Sequence, residues 1–237
     1  FSRAPVAGKT KTRLIGALGA EGAKDFHAAC LNDLIAEARA WKATRGATGQ
    51  EAGVHLFITP PGAQAAFRVT GVNWPKDFSL HDQRGESLGE RMADAFATVL
   101  RRVEGPRGVV LVGTDLPLLT AAHLDAATEA LAGTGALAGA DTPAGADVVF
   151  GPSADGGFYL VALKGPPGAL FGLSGWGGDT VLEDSLAQAR RLGKTAALIG
   201  ELPDADTPEN LAALLAHPLA ASLAQRESLR FLRNLVK

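Results

Sequence analysis

The chain is short of cysteine, of long apolar runs and of excess charge of either sign, and each shortage excludes a class of protein. Cys30 is the single cysteine among 237 residues, which excludes an internal disulfide framework and a zinc site built from several cysteines. Its position on an apolar helical stripe indicates a core residue rather than a nucleophile. The five histidines have no metal-ligand spacing, so no zinc site is predicted.

The formal net charge of −2 offers no basic surface to nucleic acid or to anionic lipid. No apolar run approaches the ~20 residues of a membrane span, and no signal peptide is recognisable. We therefore expect a soluble, cytoplasmic protein with no nucleic-acid and no membrane partner, and this prediction leaves room for a homo-oligomer. Phe1-Ser2-Arg3 resembles the tail of a strand, so we expect the N-terminus to be incomplete.

Strand-like and helix-like segments alternate along the chain, which predicts an α/β fold with a mostly parallel sheet covered by helices on both faces. The neighbouring strands around residues 151–157 indicate one antiparallel element. We find no internal repeat and no good boundary, so residues 1–237 are predicted to form a single domain. Three helix starts are predicted: capping boxes at Ser87/Glu90 and Thr180/Glu183, and an N-cap followed by proline at Thr207-Pro208. The pattern also predicts helices over about residues 14–19, 22–41 and 218–236, and a loop over residues 78–86.

The apolar run Val109–Val112 predicts a parallel strand buried on both faces, and Pro117 prevents it from continuing. Asp115 would then lie just past the carboxyl end of this strand, at the rim where open α/β sheets bind ligands. An aspartate there could hold a divalent cation, because hard cations prefer oxygen ligands. The alternative is that Asp115 caps the next helix.

A basic loop after the first strand is typical of a phosphate site, because backbone N–H groups, a helix N-terminus and cations converge there. Gly8-Lys9-Thr10 resembles a P-loop, but Arg3 stands where that pattern requires its first glycine. A merely solvated loop is the other alternative. The loop's charged and hydroxyl side chains are Arg3, Lys9, Thr10, Lys11, Thr12 and Arg13.

Three further segments have both a functional and a structural interpretation. Asp155, followed by two glycines, is either a second carboxylate at the cation or part of a hairpin turn. Gly85 and Gly89 flank a helix start, which is unusual for stability alone. The functional interpretation of this segment is a lid over a base or sugar, with Gln83 and Arg91 as polar contacts. Asp179 is either a base beside an acceptor pocket walled by an aromatic residue, or part of a helix cap beside a core tryptophan.

Several motifs, taken in order, resemble a family of small bacterial GT-A-like transferases. They are Arg3-x-Pro5-x-x-Gly8-x-x-Lys11-Thr12-Arg13-Leu14, Leu88-Gly89-Glu90-Arg91-Met92, Gly113-Thr114-Asp115-x-Pro117, Gly151-Pro152-x-x-Asp155-Gly156-Gly157-Phe158-Tyr159-Leu160 and Trp176-Gly177. This family comprises arsenosugar-biosynthesis-type glycosyltransferases and is similar to 2-phospholactate guanylyltransferases. The resemblance implies a Rossmann-like nucleotide-diphospho-sugar transferase fold, a bound nucleotide and Mg²⁺ or Mn²⁺.

On matching positions, the resemblance implies that Lys11 and Arg13 hold phosphates and that Asp115 holds the metal. Leu118 stands where many relatives have a second aspartate, and Gly178 where relatives often have threonine. The full set of predicted site residues is Asp155 and Asp179 for catalysis, Asp115 and Asp155 for the metal, and Arg3, Gly8, Lys11, Thr12, Arg13, Gln83, Gly85 and Arg91 for the nucleotide.

The leading hypothesis is an enzyme, a glycosyltransferase that passes a sugar from a nucleoside diphosphate sugar to a small acceptor. Its cation and basic residues would stabilise the departing diphosphate. One alternative is a nucleotidyltransferase of the 2-phospholactate guanylyltransferase type, which would use an NTP and release pyrophosphate. The others are a non-catalytic nucleotide-binding protein and a P-loop ATPase.

Overall fold

The computed structural model describes residues 1–49, 52–69, 71–72, 75–102, 108–134 and 145–235. It divides into two compact units. Unit 1 comprises Phe1–Asp82, Gly113–Ala121 and Pro203–Lys237, and unit 2 comprises Gln83–Val112 and Ala122–Leu202. That residues 1–237 form a single domain stays a prediction. Within the described ranges, no helix is both long enough and apolar enough to cross a bilayer.

Unit 1 contains a parallel sheet of order β1-β2-β3, formed by Ser2–Arg3, His55–Thr59 and Ser79–Asp82. Residues 79–82 were expected to be loop, so β3 differs from the prediction. Leu56 and Ile58 on one face of β2 join an apolar core, whereas Phe57, which is also buried, lies on the other face and stacks on His81 of β3. The helices of this unit are α1 (Ile15–Ala47), α2 (Gln64–Val69), α6 (Pro208–Ala216), α7 (Pro218–Ser222) and α8 (Glu227–Leu235).

The two helices expected before residue 41 are continuous in α1 apart from a kink at Gly19, whose φ is 71° and ψ is 167°. The single helix expected over residues 218–236 is instead divided into α7 and α8. The division has a cause far away in the sequence, because the buried Asp33 carboxylate accepts hydrogen bonds from the backbone N–H groups of Glu227 and Ser228 and so begins a new helix there.

Unit 2 contains a second sheet of order β4-β6-β5-β7. Its strands are β4 (Val109–Val112), β5 (Val148–Pro152), β6 (Phe158–Leu163) and β7 (Ala196–Leu198). β6 runs antiparallel to both β4 and β5, while β5 and β7 are parallel, so the predicted antiparallel element is confirmed. β4 differs from its prediction, because its described partner β6 is antiparallel and its residues are half-buried rather than enclosed on both faces.

The helices of unit 2 are α3 (Leu88–Leu100), α4 (Ala121–Ala132, which begins with the last residue of a unit 1 segment) and α5 (Val181–Arg191). The capping box at Ser87/Glu90 is confirmed, and so is the helix start at Thr207-Pro208. The capping box at Thr180 is wrong. The ψ of Thr180 is 5°, which is not that of an extended N-cap residue. The Thr180 hydroxyl makes no capping bond to a backbone N–H and donates to the Asp184 carboxylate.

Candidate functional site

The basic loop of unit 1 is organised by Thr10, which the sequence indicated only as one of the loop's hydroxyl residues. Its buried hydroxyl donates to the carbonyl of Ala4 at 2.6 Å and accepts from the N–H of Val6 at 3.1 Å. The loop therefore folds back on itself. It leads into a short 3₁₀ helix, Thr12–Leu14, and the fully buried Leu14 anchors that turn in the core.

Lys11 ties this loop to two distant segments of the same unit. Its Nζ lies 2.7 Å from Oδ1 of Asp115 and donates to the carbonyl of Ala205 at 2.6 Å. Burial alone would lower the pKa of Lys11, but the surrounding groups, with the Asp115 carboxylate foremost, together outweigh it, and the pKa is raised. Burial would likewise raise the pKa of Asp115, but Lys11 and His27 together outweigh it, and that pKa is lowered. Both groups are therefore charged at neutral pH.

His27 on α1 contacts the same carboxylate oxygen as Lys11. Its Nδ1 lies 3.3 Å from Oδ1 of Asp115, and its Nε2 lies 2.9 Å from the carbonyl of Arg3. Nε2 also lies 3.3 Å from the hydroxyl of Ser2, which is itself 3.3 Å from that of Thr114. The sequence reasoning missed His27, because its role depends on partners far away in the chain and no spacing pattern marks it.

Asp206 is a second carboxylate at the Lys11 ammonium. Its Oδ1 lies 3.8 Å from Nζ of Lys11, and its Oδ2 accepts from Arg13 at 3.1 Å. Leu118, which stands where many relatives have a second aspartate, is fully buried in the core. Asp206 supplies a second carboxylate beside Lys11 in its place. The sequence signal that could have identified Asp206 is the pair Asp204 and Asp206 directly before the strong helix start at Thr207-Pro208.

The other predicted residues of the basic loop are open to solvent. Arg3 and Thr12 are exposed, and Gly8 has a φ of 75° with open space where a side chain would stand. The side chain of Arg13 is 69% exposed, whereas that of Lys11 is only 2% exposed. Arg13 is therefore the better placed of the two to reach an anionic ligand.

The carboxylates of unit 1 do not fit a divalent cation held by protein ligands alone. Asp115 is paired with Lys11, and Asp206 is paired with Arg13. Among the described residues, no three His, Cys, Asp or Glu side chains gather in a group that could hold a metal. Asp115 belongs to unit 1 and Asp155 to unit 2, so the sharing of one cation between them stays a prediction.

In unit 2, the structure brings Asp155 and Asp179 onto two loops in direct contact. Gly156 has a φ of 82°, and a Cβ there would clash with the carbonyl oxygen of Asp179. The N–H of Leu182 donates to the carbonyl of Gly156 at 2.9 Å. Asp155 accepts from the N–H of Gly157, and both aspartates are exposed. Asp155 is therefore part of a turn, and its exposed carboxylate stays available for the predicted functional role.

The segment from Gln83 to Arg91 is a structured helix start. Arg91 donates through Nε to the carbonyl of Gly85 at 2.9 Å and through Nη2 to that of Glu86 at 3.3 Å. Gly85 has a φ of 126°, a conformation that favours glycine. The N–H groups of Glu86 and Ser87 lower the pKa of Glu90. Gln83 is buried. These contacts give the segment a structural role, and its role in nucleotide binding stays a prediction.

Trp176 packs as part of an aromatic cluster in unit 2. Its ring lies edge-on to Phe158 and tilted against Phe171, with centroid distances of 6.3 Å in both cases. Gly89 is needed beside it, because a Cβ there would stand 2.7 Å from Nε1 of Trp176. The tryptophan that was predicted to wall an acceptor pocket therefore also has a packing role.

Comparisons with known proteins agree with this architecture. No curated protein matches the chain significantly. Its fold is similar to that of a crystal structure from Desulfovibrio desulfuricans G20, described as a "putative nucleotide-diphospho-sugar transferase". The match has a TM-score of 0.78 at 23% identity and covers 99% of this chain and 92% of the other. The predicted α/β fold, which this chain shares with that structure, is thereby confirmed. A family model described as "Uncharacterized protein conserved in bacteria (DUF2064)" matches residues 43–178, more than half of the chain, and the chain belongs to this family.

Proposed function

We propose that the chain is a transferase that binds a nucleoside diphosphate sugar and passes the sugar to a small acceptor. The observation that carries the proposal is the 2.7 Å contact between Lys11 and Asp115, which joins the basic loop after β1 to the segment after β4. A cluster of charged side chains at the ends of strands is where α/β folds of this kind bind ligands. The fold similarity supports the same class of substrate.

In this proposal, the cations of unit 1 stabilise the negative charge that develops on the departing diphosphate. Arg13 is the principal contact, because its side chain is 69% exposed and its guanidinium can bind phosphate oxygens in a bidentate manner. Exposed Arg3 and Lys9 add positive potential around it. The buried ammonium of Lys11 does not contact the diphosphate in this proposal, and it holds the Asp115 and Asp206 carboxylates in position. Removing one preorganised contact to a developing charge typically lowers the rate by about 10²–10³.

Asp155 and Asp179 of unit 2 are the candidates for the catalytic base of the proposed reaction. Exposed Asp155 and Asp179 stand on touching loops, and either could accept the proton of an acceptor hydroxyl. The arsenosugar-biosynthesis subtype and the use of Mg²⁺ or Mn²⁺ are parts of the proposal that stem from the motif resemblance alone.

A thermal-shift screen of nucleoside diphosphates and their sugars, with and without each cation, tests the proposal. A ligand that binds only the native state raises its apparent stability, so a true donor increases the melting temperature in a concentration-dependent manner. Arg13→Gln should abolish the shift. Arg230→Gln, which removes an exposed arginine on α8 of the same unit, should leave the shift unchanged. Equal shifts in the parent and in Arg13→Gln would contradict the assignment.

Product analysis separates the proposal from its alternatives. Glycosyl transfer releases a free nucleoside diphosphate, whereas a nucleotidyltransferase consumes an NTP and releases pyrophosphate. Tight nucleotide binding without turnover over a broad panel of donors and acceptors would instead favour a non-catalytic binding protein. Phosphate release from ATP alone would favour an ATPase.

A further inference from the structure

Lys11 has an unusual backbone and an unusually buried charge. Its φ of 50° is the only positive value of a non-glycine residue within the described ranges. Such a conformation is unfavourable for a residue with a Cβ and persists only where the surroundings impose it. Here the bond from Nζ to the carbonyl of Ala205 and the ion pair with Asp115 impose it. The strained backbone of Lys11 thus accompanies an ammonium group fixed between Asp115 and the carbonyl of Ala205.

The ammonium is enclosed while its partner carboxylates are accessible. The side chain of Lys11 is 2% exposed, whereas those of Asp115 and Asp206 are 42% and 36% exposed. A purely structural ion pair needs no such difference between its partners. The arrangement leaves two acidic groups facing solvent with a fixed positive charge behind them.

The charges of this cluster cancel. Lys11 and Arg13 carry two positive charges, and Asp115 and Asp206 carry two negative ones. His27 adds a further group facing Oδ1 of Asp115 at 3.3 Å. A divalent cation that approached the carboxylates would meet the ammonium within a few ångströms, where repulsion between like charges is strong. A bound anionic ligand would add negative charge to the cluster and so make the binding of a divalent cation more favourable.

We propose that Lys11 is a built-in counter-cation that keeps the carboxylates of Asp115 and Asp206 from binding a divalent cation until a phosphate-bearing ligand arrives. Cation and anionic ligand are then positively coupled, and each strengthens the binding of the other by the same factor. This inference concerns the site of the proposed function, but its core can be tested with metal alone.

The experiment measures Mn²⁺ binding, without nucleotide, from the loss of the electron paramagnetic resonance signal of free Mn²⁺. We expect the parent chain to bind weakly and Lys11→Met to bind at least about tenfold more tightly, because a nearby like charge has been removed. Lys76→Met is the matched control, since it removes an exposed lysine of the same unit outside the basic loop, and it should bind as the parent does. Adding Asp115→Asn to Lys11→Met should abolish the gain.

A folded Lys11→Met chain that binds Mn²⁺ no more tightly than the parent would overturn the proposal. A second measurement uses the parent chain alone and so does not depend on that variant folding. Acetylation of Lys11, followed by mass spectrometry, should be slower than that of Lys9 and should not change when Mn²⁺ is added. If Mn²⁺ alone accelerates acetylation of Lys11, the cation displaces the ammonium unaided, and the proposal is wrong.

Failure of this inference differs from failure of the proposed function. If nucleotides bind and turn over while Lys11→Met gains no Mn²⁺ affinity, only the role of Lys11 as counter-cation is refuted. If no nucleotide raises the melting temperature, the proposed function fails, and the Mn²⁺ result stands by itself.

Discussion

Replacing Gly89 by alanine should destabilise the chain, although alanine is the better helix former. A Cβ at position 89 would clash with the carbonyl oxygen of Phe171 and stand 2.7 Å from Nε1 of Trp176. Because the first of these atoms is backbone, the neighbouring loop must shift. Overpacking of this kind costs about 1–3 kcal/mol, against a helix-propensity gain of about 1 kcal/mol. We expect a net loss of up to about 2 kcal/mol in the free energy of unfolding.

Urea unfolding monitored by far-ultraviolet circular dichroism measures this loss, and fluorescence reports on the repacking of Trp176. Gly46→Ala is the matched control, because position 46 lies in α1 and a Cβ added there would have no atom within 4 Å. There the propensity gain is unopposed, and stability should rise by up to about 1 kcal/mol. The opposite signs are the decisive result. If Gly89→Ala is as stable as the parent or more stable, the close approach of the 171–176 loop to α3 is refuted.

Three further predictions concern polar contacts. Asp33→Ala should lower the free energy of unfolding by about 2–3 kcal/mol and speed hydrogen exchange in α8, because this buried carboxylate accepts from the first N–H groups of that helix; unchanged exchange would contradict it. Backbone and hydroxyl bonds from Thr195 lower the pKa of Asp147. This carboxylate therefore contributes stability above its ordinary pKa of about 4, and the contribution is lost as pH falls through the lower folded value. Urea unfolding of Asp147→Asn across pH should accordingly show a smaller acid-induced loss than the parent, and parallel curves would argue against the effect. Thr10→Val should cost about 1–3 kcal/mol by removing the hydroxyl that pairs with the buried carbonyl of Ala4 and the part-buried N–H of Val6, while Thr12→Val, at an exposed position, should be nearly neutral in the same assay.

The parts of the fold that the sequence predicts well depend on local signals. The capping box at Ser87/Glu90 and the N-cap and proline at Thr207-Pro208 involve residues within three positions of one another. The antiparallel element around residues 151–157 follows from a short turn between two apolar runs. In each case, the chemistry that determines the structure lies within a few residues.

The incorrect predictions have non-local causes. The last helix is divided because Asp33, from α1, caps α8 across almost the whole length of the chain. The strand after residue 108 was expected to be parallel because it lies between helices, but its described partner is β6, which a hairpin reverses. Neither partner can be identified from residues near the element concerned.

The same distinction explains what the sequence could and could not predict about the site. The clustering of Lys11 and Arg13 beside Thr12 is local and is visible in the sequence. How far each of these two cations is exposed depends on its pairing with Asp115 and Asp206, which lie in segments far along the chain. Because Asp115 encloses Lys11 and leaves Arg13 largely exposed, the two are not equivalent probes of phosphate binding. A Lys11 variant alters the acidic pair as well as the basic loop, so a loss of nucleotide binding in that variant has two explanations. In Arg13→Gln the ion pair between Lys11 and Asp115 is retained, and a loss of binding there can be attributed to the guanidinium and its pairing with Asp206.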